Sequence, residues 1–345
     1  MSEKRTELSE LGEFGLIDKL TKDFKNKNAA TIYGIGDDAA VLERDEEHYT
    51  LLSTDMMLEG VHFNLMYMPL KHLGYKAVSS NVSDICAMNG TPEHITVSLA
   101  VSNRFPQEAL EELYEGIAHA CEIFNVDLVG GDTTSSVSGL VLNIAIMGKV
   151  KKTDVVYRSG AKENDLIVVT GDLGGAYMGL QILEREKEVY KANPNIQPDL
   201  DGHDYILQRQ MKPEARTDVI AMFSELKVKP TSMIDISDGL ASELLHLAKA
   251  SDVSCQIYDD KLPIDAKTSM TAMEMNVNPN TAGLNGGEDY ELLFTISQKD
   301  YETIGANPNF TVIGYISHKA EGSHIVDKNG AAIELKAQGW NHFKD

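Results

Sequence analysis

The chain has 345 residues, a formal net charge of −22 and 42% hydrophobic residues. That length exceeds one ordinary hydrophobic core, so two domains are expected, and no apolar run approaches the ~20 residues of a membrane-spanning helix. The acidic balance speaks against nucleic acid as a partner, because phosphate backbones are gripped by basic patches. Cys86, Cys121 and Cys255 are too widely spaced for a disulfide framework. The polar start at residues 1–6 lacks the apolar stretch of a signal peptide, so a cytoplasmic location is expected. Most acidic residues read as solubilising charge, yet an acidic protein still binds a nucleotide when divalent cations bridge carboxylate to phosphate.

Residues 9–25 predict a short capped helix with Phe14, Ile17 and Leu20 along one stripe. Gly34-Ile35-Gly36-Asp37-Asp38-Ala39 then sets two carboxylates in a glycine-framed turn. Adjacent carboxylates repel unless something positive lies between them. Residues 49–55 predict a strand whose C-terminal end delivers Ser53, Thr54 and Asp55, where ligands of α/β folds gather. His62, in the loop that follows, suits either a structural or a ligand-touching role. Residues 72–89 predict a helix with Leu73, Ala77, Val78, Val82, Ile85 and Met88 at helical spacing. Asp84 lies inside it, and a carboxylate in so apolar a helix either faces solvent or needs a partner.

After a strand at 93–101 and a helix at 106–124 containing Tyr114, residues 126–134 repeat the opening pattern: strand, glycine turn, Asp132, hydroxyls. A strand at 140–150 completes a predicted first domain, 1–150, and a connector carrying Arg158 leads into a second, 151–345. Residues 166–176 read as buried strand, glycine turn and helix start, a layout that presents backbone N–H groups to an anion, although tight strand–helix turns need glycine for sterics alone. The polar stretch 187–204 is expected to be a surface loop. At 232–242, Asp235 and Asp238 flank Ser237 at a strand-to-helix junction; capping accounts for one of them and leaves the other over. Glu288 and Asp289 precede an apolar strand, and residues 339–343 close the chain with an aromatic cluster around Trp340, whose plainer role is packing.

Asp37, Asp38, Asp55, Asp84, Asp132, Asp235 and Asp238 are hard oxygen donors, which points to Mg²⁺ rather than zinc or copper. Several Mg²⁺ ions held by aspartates suit polyphosphate chemistry. Neither a Walker sequence nor a kinase catalytic loop is present. A nucleotide is therefore expected to be held mainly through metals.

Gly34–Ala39, Ser53-Thr54-Asp55, Gly60-Val61-His62-Phe63, Asn81-Val82-Ser83-Asp84, Gly130-Gly131-Asp132-Thr133-Thr134, Arg158-Ser159-Gly160-Ala161-Lys162, Asp235-Ile236-Ser237-Asp238-Gly239-Leu240, Gly286-Gly287-Glu288-Asp289-Tyr290-Glu291 and Gly339-Trp340-Asn341-His342-Phe343 occur in that order. Together they resemble the thiamine-monophosphate kinase family, within the superfamily named for aminoimidazole ribonucleotide synthetase. The resemblance implies transfer of the γ-phosphoryl group of ATP onto thiamine monophosphate. It implies Mg²⁺ on Asp38, Ser53, Thr54, Asp55, Asp84, Asp132, Asp235 and Asp238. ATP would meet Tyr114, Gly131, Asp132, Arg158 and Ser237, and thiamine monophosphate would meet His62, Glu288 and Trp340. Asp55, Asp84, Asp132 and Arg158 would carry the catalysis. The implied fold is two α/β domains, with N-terminal strands forming a barrel across a homodimer. Selenophosphate synthetases would want a reactive cysteine in an N-terminal glycine-rich segment, and the hydrogenase-maturation relatives a C-terminal one; this chain has neither. A non-catalytic Mg-nucleotide-binding regulator is the alternative from a different class. Loss of a metal-binding aspartate would favour it, yet every expected position is filled.

Overall fold

A computed structural model describes residues 8–338. The chain begins with α1 (Leu8–Thr21), β1 (Thr31–Tyr33), β2 (Ala40–Glu43), β3 (His48–Leu58), α2 (Leu70–Ala87), β4 (Thr91–Val101), α3 (Gln107–Phe124), β5 (Asp127–Ser135) and β6 (Leu140–Lys151). The strands form a six-stranded sheet in the order β1-β2-β3-β6-β4-β5. It is antiparallel except where β4 and β5 pair in parallel. The helix α3 supplies the crossover that a parallel pair requires.

The second half contains β7 (Leu166–Thr170), α4 (Gly175–Ala192), α5 (Asp204–Met211), α6 (Thr217–Leu226), β8 (Ser232–Asp235), α7 (Leu240–Ser251), β9 (Ser254–Tyr258), α8 (Ala266–Glu274) and α9 (Pro279–Asn285). It ends with β10 (Leu292–Ile296), α10 (Tyr301–Ile304), β11 (Phe310–Ser317), β12 (His324–Val326) and β13 (Ala332–Glu334). These strands form a seven-stranded mixed sheet in the order β13-β12-β9-β11-β7-β10-β8. The fold is therefore mixed α/β with two sheets.

The helix α2 joins the halves. It packs on β3, β4, β6 and α3 of the first and on β8, α5 and α6 of the second. A helix buried on nearly all sides must be apolar or have its polar groups satisfied. Leu73, Val78, Val82 and Ile85 meet the first condition. Ser79 Oγ, donating to the carbonyl of Pro213 at 2.8 Å, and Ser83 Oγ, donating to Asp235 Oδ2 at 2.6 Å, meet the second. The approach of α3 is equally tight, since a Cβ at Gly116 would lie 1.9 Å from the carbonyl oxygen of Lys71.

Several elements differ from their predicted form. The strand β3 runs on through Leu58, which puts Ser53, Thr54 and Asp55 in its middle rather than at its end. Side chains alternate across a strand, so Ser53 and Asp55 share a side with buried Leu51 and Met57, opposite the exposed Leu52 and Met56. Gly130 and Gly131 form no turn: β5 is continuous from Asp127 to Ser135. Glycine is required at 131 because a Cβ there would lie 2.0 Å from the carbonyl oxygen of Val97 on β4. The first helix stops at Thr21 and breaks at Gly12 (φ 65°), short of the predicted end at 25. The surface loop begins later than predicted, since α4 continues to Ala192.

Candidate active site

The acidic residues singled out by the sequence divide into those brought together and those held apart. Asp38 comes from the turn between β1 and β2, Asp84 from the last turn of α2, and Asp235 from the C-terminal end of β8. One carboxylate oxygen from each lies within 4.8 Å of the others. Ser53 Oγ donates to Asp84 Oδ2 at 2.5 Å, and the backbone N–H of Asp55 donates to Asn81 Oδ1 at 3.2 Å, so β3 is pinned to α2 beside the cluster. Residues from both sheets thus meet at the C-terminal end of α2.

The electrostatics follow from this crowding. Burial pushes the Asp235 carboxyl up to about 7, with the neighbouring Asp38 charge adding to it. Burial, then Glu13 and Asp38, raise Asp55 to about 6. Asp84 is raised well above the usual carboxylate range by burial and by Asp55, Asp235 and Asp38. Asp37 is lifted to about 7 by burial and by the adjacent Asp38. Carboxylates in this condition call for positive charge between them. Arg158 supplies part of it: its Nη2 lies 2.5 Å from Asp38 Oδ1, and its backbone N–H donates to both oxygens of Asp37 at 3.2 and 3.1 Å. The other oxygen of Asp38 is buried with no hydrogen-bond partner. An orphaned oxygen beside two further carboxylates is what a hard divalent cation would complete, so the residues present fit Mg²⁺.

Other expected ligands sit differently. Asp238 lies in the turn before α7, and its backbone N–H donates to Glu243 Oε1 at 3.1 Å. Neither Asp235 nor Asp238 caps α7, whose N-cap is Gly239 with no side-chain cap bond; the capping role expected for one of them is replaced by this cluster. Thr54 turns to the opposite side of β3, where its hydroxyl donates to the carbonyl of Ile144 at 3.0 Å. Gly131 and Asp132 lie on the exposed edge strand β5, and Tyr114 is half-buried on α3 against the core. Trp340 lies outside the described residues.

The loop before β10 runs beside the metal-cluster loop. The backbone N–H of Glu288 donates to the carbonyl of Ser237 at 2.7 Å, and that of Tyr290 to the carbonyl of Ile236 at 2.9 Å. His62 accepts a hydrogen bond at Nδ1 from the backbone N–H of Leu58 at 3.1 Å, which assigns its proton to Nε2. The glycine turn before α4, whose layout suits either an anion or steric needs alone, is filled by the chain itself. Gly174 N–H donates to Asp289 Oδ2 at 2.7 Å and Ala176 N–H to Oδ1 at 3.4 Å. The fully buried Asp289 therefore serves the helix N-terminus rather than a ligand.

Sequence reasoning passed over two buried charged residues here. Lys76, 1% exposed on α2, pairs with Glu288 at 2.7 Å. Its signal was the same as that of Asp84, a charge inside an apolar helix. Glu243, on α7 beside Asp238, is raised well above its ordinary range by burial and by Asp238 and Asp235. In sequence it reads only as an acid complementing a helix N-terminus.

Comparison with known proteins places the chain in a family. Residues 36–150 match the family described as AIR synthase related protein, N-terminal domain. The chain is 34% identical over 339 residues to the thiamine-monophosphate kinase of Bacillus subtilis (strain 168), covering 97% of this chain and 100% of that one. It is 35% identical over 338 residues to the thiamine-monophosphate kinase of Aquifex aeolicus (strain VF5), covering 97% and 99%. A solved structure of AaThiL complexed with AMPPCP and TMP superposes with a TM-score of 0.83 at 34% identity, covering 99% of this chain and all of that one. With relatives this similar along their whole length, the chain belongs to the thiamine-monophosphate kinase family.

Proposed function

We propose that this chain transfers the γ-phosphoryl group of ATP to the phosphate of thiamine monophosphate, giving thiamine diphosphate and ADP. The observation that carries the reading is the convergence of Asp38, Asp84 and Asp235 from three elements onto one point, with Arg158 beside them. Membership of the kinase family and the AaThiL complex with AMPPCP and TMP support it.

In this reading Asp38, Asp84 and Asp235, joined by Asp55 and Asp238 and by Ser53, would hold Mg²⁺; Thr54, whose hydroxyl faces away, and Asp132, on the edge strand β5, are the proposed ligands that one copy of the chain does not bring to the cluster. Bound Mg²⁺ supplies neutralisation of the charge on the phosphoryl oxygens. The acceptor is a phosphate monoester whose second pKa is about 6. It is mostly ionised at neutral pH and needs no general base. The protein's task is to let two anions approach, which Arg158 serves by positioning and by its fixed positive charge. Ser237, Tyr114 and Gly131 contact ATP. His62, Glu288 and Trp340 meet the acceptor, and Trp340 offers an aromatic face to the cationic thiazolium, a contact of about 0.5–2 kcal/mol. Transfer is direct and in line, without a phosphoenzyme. Two copies of the chain, each divided into domains near residue 150, form a homodimer whose first sheets close into a barrel, and the enzyme works in the cytoplasm.

ADP release measured with thiamine monophosphate, free thiamine and aminoimidazole precursors, with Mg²⁺ titrated, tests this. Turnover is expected only with thiamine monophosphate and Mg²⁺; activity on free thiamine alone overturns the acceptor. Inversion at a chiral γ-phosphate is expected, and retention would exclude direct transfer.

A further inference from the structure

Lys76 is buried to 1% exposure in the middle of α2. Its Nζ lies 2.7 Å from Glu288 Oε1 and donates to the backbone carbonyl of Gln210, on α5, at 3.1 Å. Gln210, 2% exposed, donates from Nε2 to the other Glu288 oxygen at 2.8 Å. Both oxygens of one carboxylate are thus held by buried donors from two helices. The Glu288 backbone is held as well: it sits at φ 66°, and its N–H is bonded to Ser237. A glutamate in the left-handed region persists only where its surroundings over-determine it.

The asymmetry of the pair is informative. The lysine is sealed, while the Glu288 side chain keeps 28% of its surface open. An apolar residue of similar volume at 76 would fill this core without desolvating a charge. The lysine instead fixes where a carboxylate stands. Gln210 also keeps Oε1 buried with no hydrogen-bond partner, an acceptor beside that same carboxylate. The helix that carries Lys76 carries Asp84, and about 12 Å of helix rise separates the two positions. One rigid element therefore spaces the metal cluster from Glu288.

We propose that Lys76 and Gln210 are the acceptor-positioning residues of this enzyme, holding Glu288 at the end of the site that receives the acceptor's cationic nitrogen heterocycle. This rests on the reading above in which Glu288 meets thiamine monophosphate. The pair acts through Glu288, about 12 Å of helix from Asp84, so its effect is expected on acceptor affinity.

Steady-state kinetics of the full chain, varying ATP and thiamine monophosphate separately, test it with Lys76→Met, Gln210→Leu, Glu288→Gln and the double variant Lys76→Met/Glu288→Gln. Each of the first two is expected to raise KM for thiamine monophosphate about tenfold or more, the scale of a lost hydrogen bond to a charged group. KM for ATP should stay within about twofold, since nothing on the nucleotide side is touched. The double variant, which leaves no buried charge unpaired, should regain thermal stability relative to Lys76→Met while keeping its raised KM, with no additive loss. If Lys76→Met fails to fold, Gln210→Leu decides. Unchanged acceptor KM in Gln210→Leu overturns the proposal, as does a parallel rise for both substrates. If Glu288→Gln itself leaves acceptor KM unchanged, the underlying role of Glu288 falls too; if only Glu288→Gln raises it, the positioning role alone falls.

Discussion

Arg158 places its Nη2 2.5 Å and its Nε 3.2 Å from the same oxygen of Asp38, a direct charge-neutralising contact in the carboxylate cluster. The guanidinium occupies one oxygen of a carboxylate whose other oxygen has no partner. Removing one member of a buried ion pair leaves the other uncompensated, at a cost of about 3–5 kcal/mol when both are fully buried. The Arg158 side chain retains 18% exposure, so the loss should fall below that range. Arg158→Gln is therefore expected to lower the melting temperature in EDTA, and to lower it less in excess Mg²⁺, where a cation replaces the lost charge. Calorimetry in both buffers checks this. An equal loss in both would mean that Arg158 is a structural pair only.

The cluster itself should trade stability for activity. Asp84 is surrounded by Asp55, Asp235 and Asp38 in a buried setting. Asp84→Asn keeps the shape, and the amide still accepts from Ser53 Oγ, while one of the repelling charges disappears. The variant is expected to melt higher than the parent in EDTA, by about 1–2 °C per kcal/mol for a chain this long. Turnover should fall by about a hundredfold or more, the scale of losing a transition-state charge stabiliser. Asp55→Asn should lose turnover in the same way while the oligomer survives. Near-normal ADP release in either variant would make these carboxylates structural.

How far the sequence disclosed this site depended on where each residue's partner lies. Asp38, Asp84 and Asp235 were legible because each is a carboxylate where local structure gives no reason for one: in a glycine turn, in an apolar helix, at a strand end. Ser53 and Asp55 were legible as residues but misplaced, since nothing local says that β3 continues past them; its length is set by pairing with β6, where Asp55 faces Ile144. The glycines at 130 and 131 read as a turn because the carbonyl of Val97, which forbids a Cβ at 131, is distant in sequence. The α4 turn stayed open between an anion site and a steric need for glycine because Asp289, which fills it, lies far along the chain. Lys76 was passed over for the same reason: only the fold reveals Glu288 as its partner.

The first helix provides a pH-sensitive contact away from the carboxylates. The ring of Phe14 on α1 lies 3.9 Å, centroid to centroid, from that of His246 on α7, with Asp18 and Lys249 paired alongside at 3.6 Å. Burial, with Arg158 and Lys249 nearby, depresses His246 from 6.5 to about 4. A histidine depressed in the folded state binds its proton more readily once unfolded. Its contribution to stability is complete above its unfolded value and is lost as pH falls from 6.5 toward about 4. His246→Phe keeps a ring against Phe14 and removes the titration. Thermal melts from pH 7 to 4 should show a shallower acid decline in the variant than in the parent, and parallel curves would exclude His246 as a source of the acid lability.

The open edge of the first sheet leads to the last prediction. All nine residues of β5 are exposed, and it is the outermost strand, paired only with β4. Leu128 and Val129 stand 42% and 60% exposed on it. A long edge strand with apolar side chains and free backbone groups invites pairing with another chain, and natural proteins either blunt such an edge or cover it. Nothing charged lies between Leu128 and Thr134 except Asp132, so this edge is not blunted. A second copy of the chain covering β5 would bury these residues and bring Asp132 and Gly131 into an enclosed site. Sedimentation is then expected to give a dimer at micromolar concentration. Val129→Lys, which sets a cation at the most exposed apolar position of the strand, should shift it toward monomer. Turnover should fall together with dimer content and recover as protein concentration rises. A parent chain that sediments as a fully active monomer would remove the dimer from the mechanism and leave Asp132 on the surface.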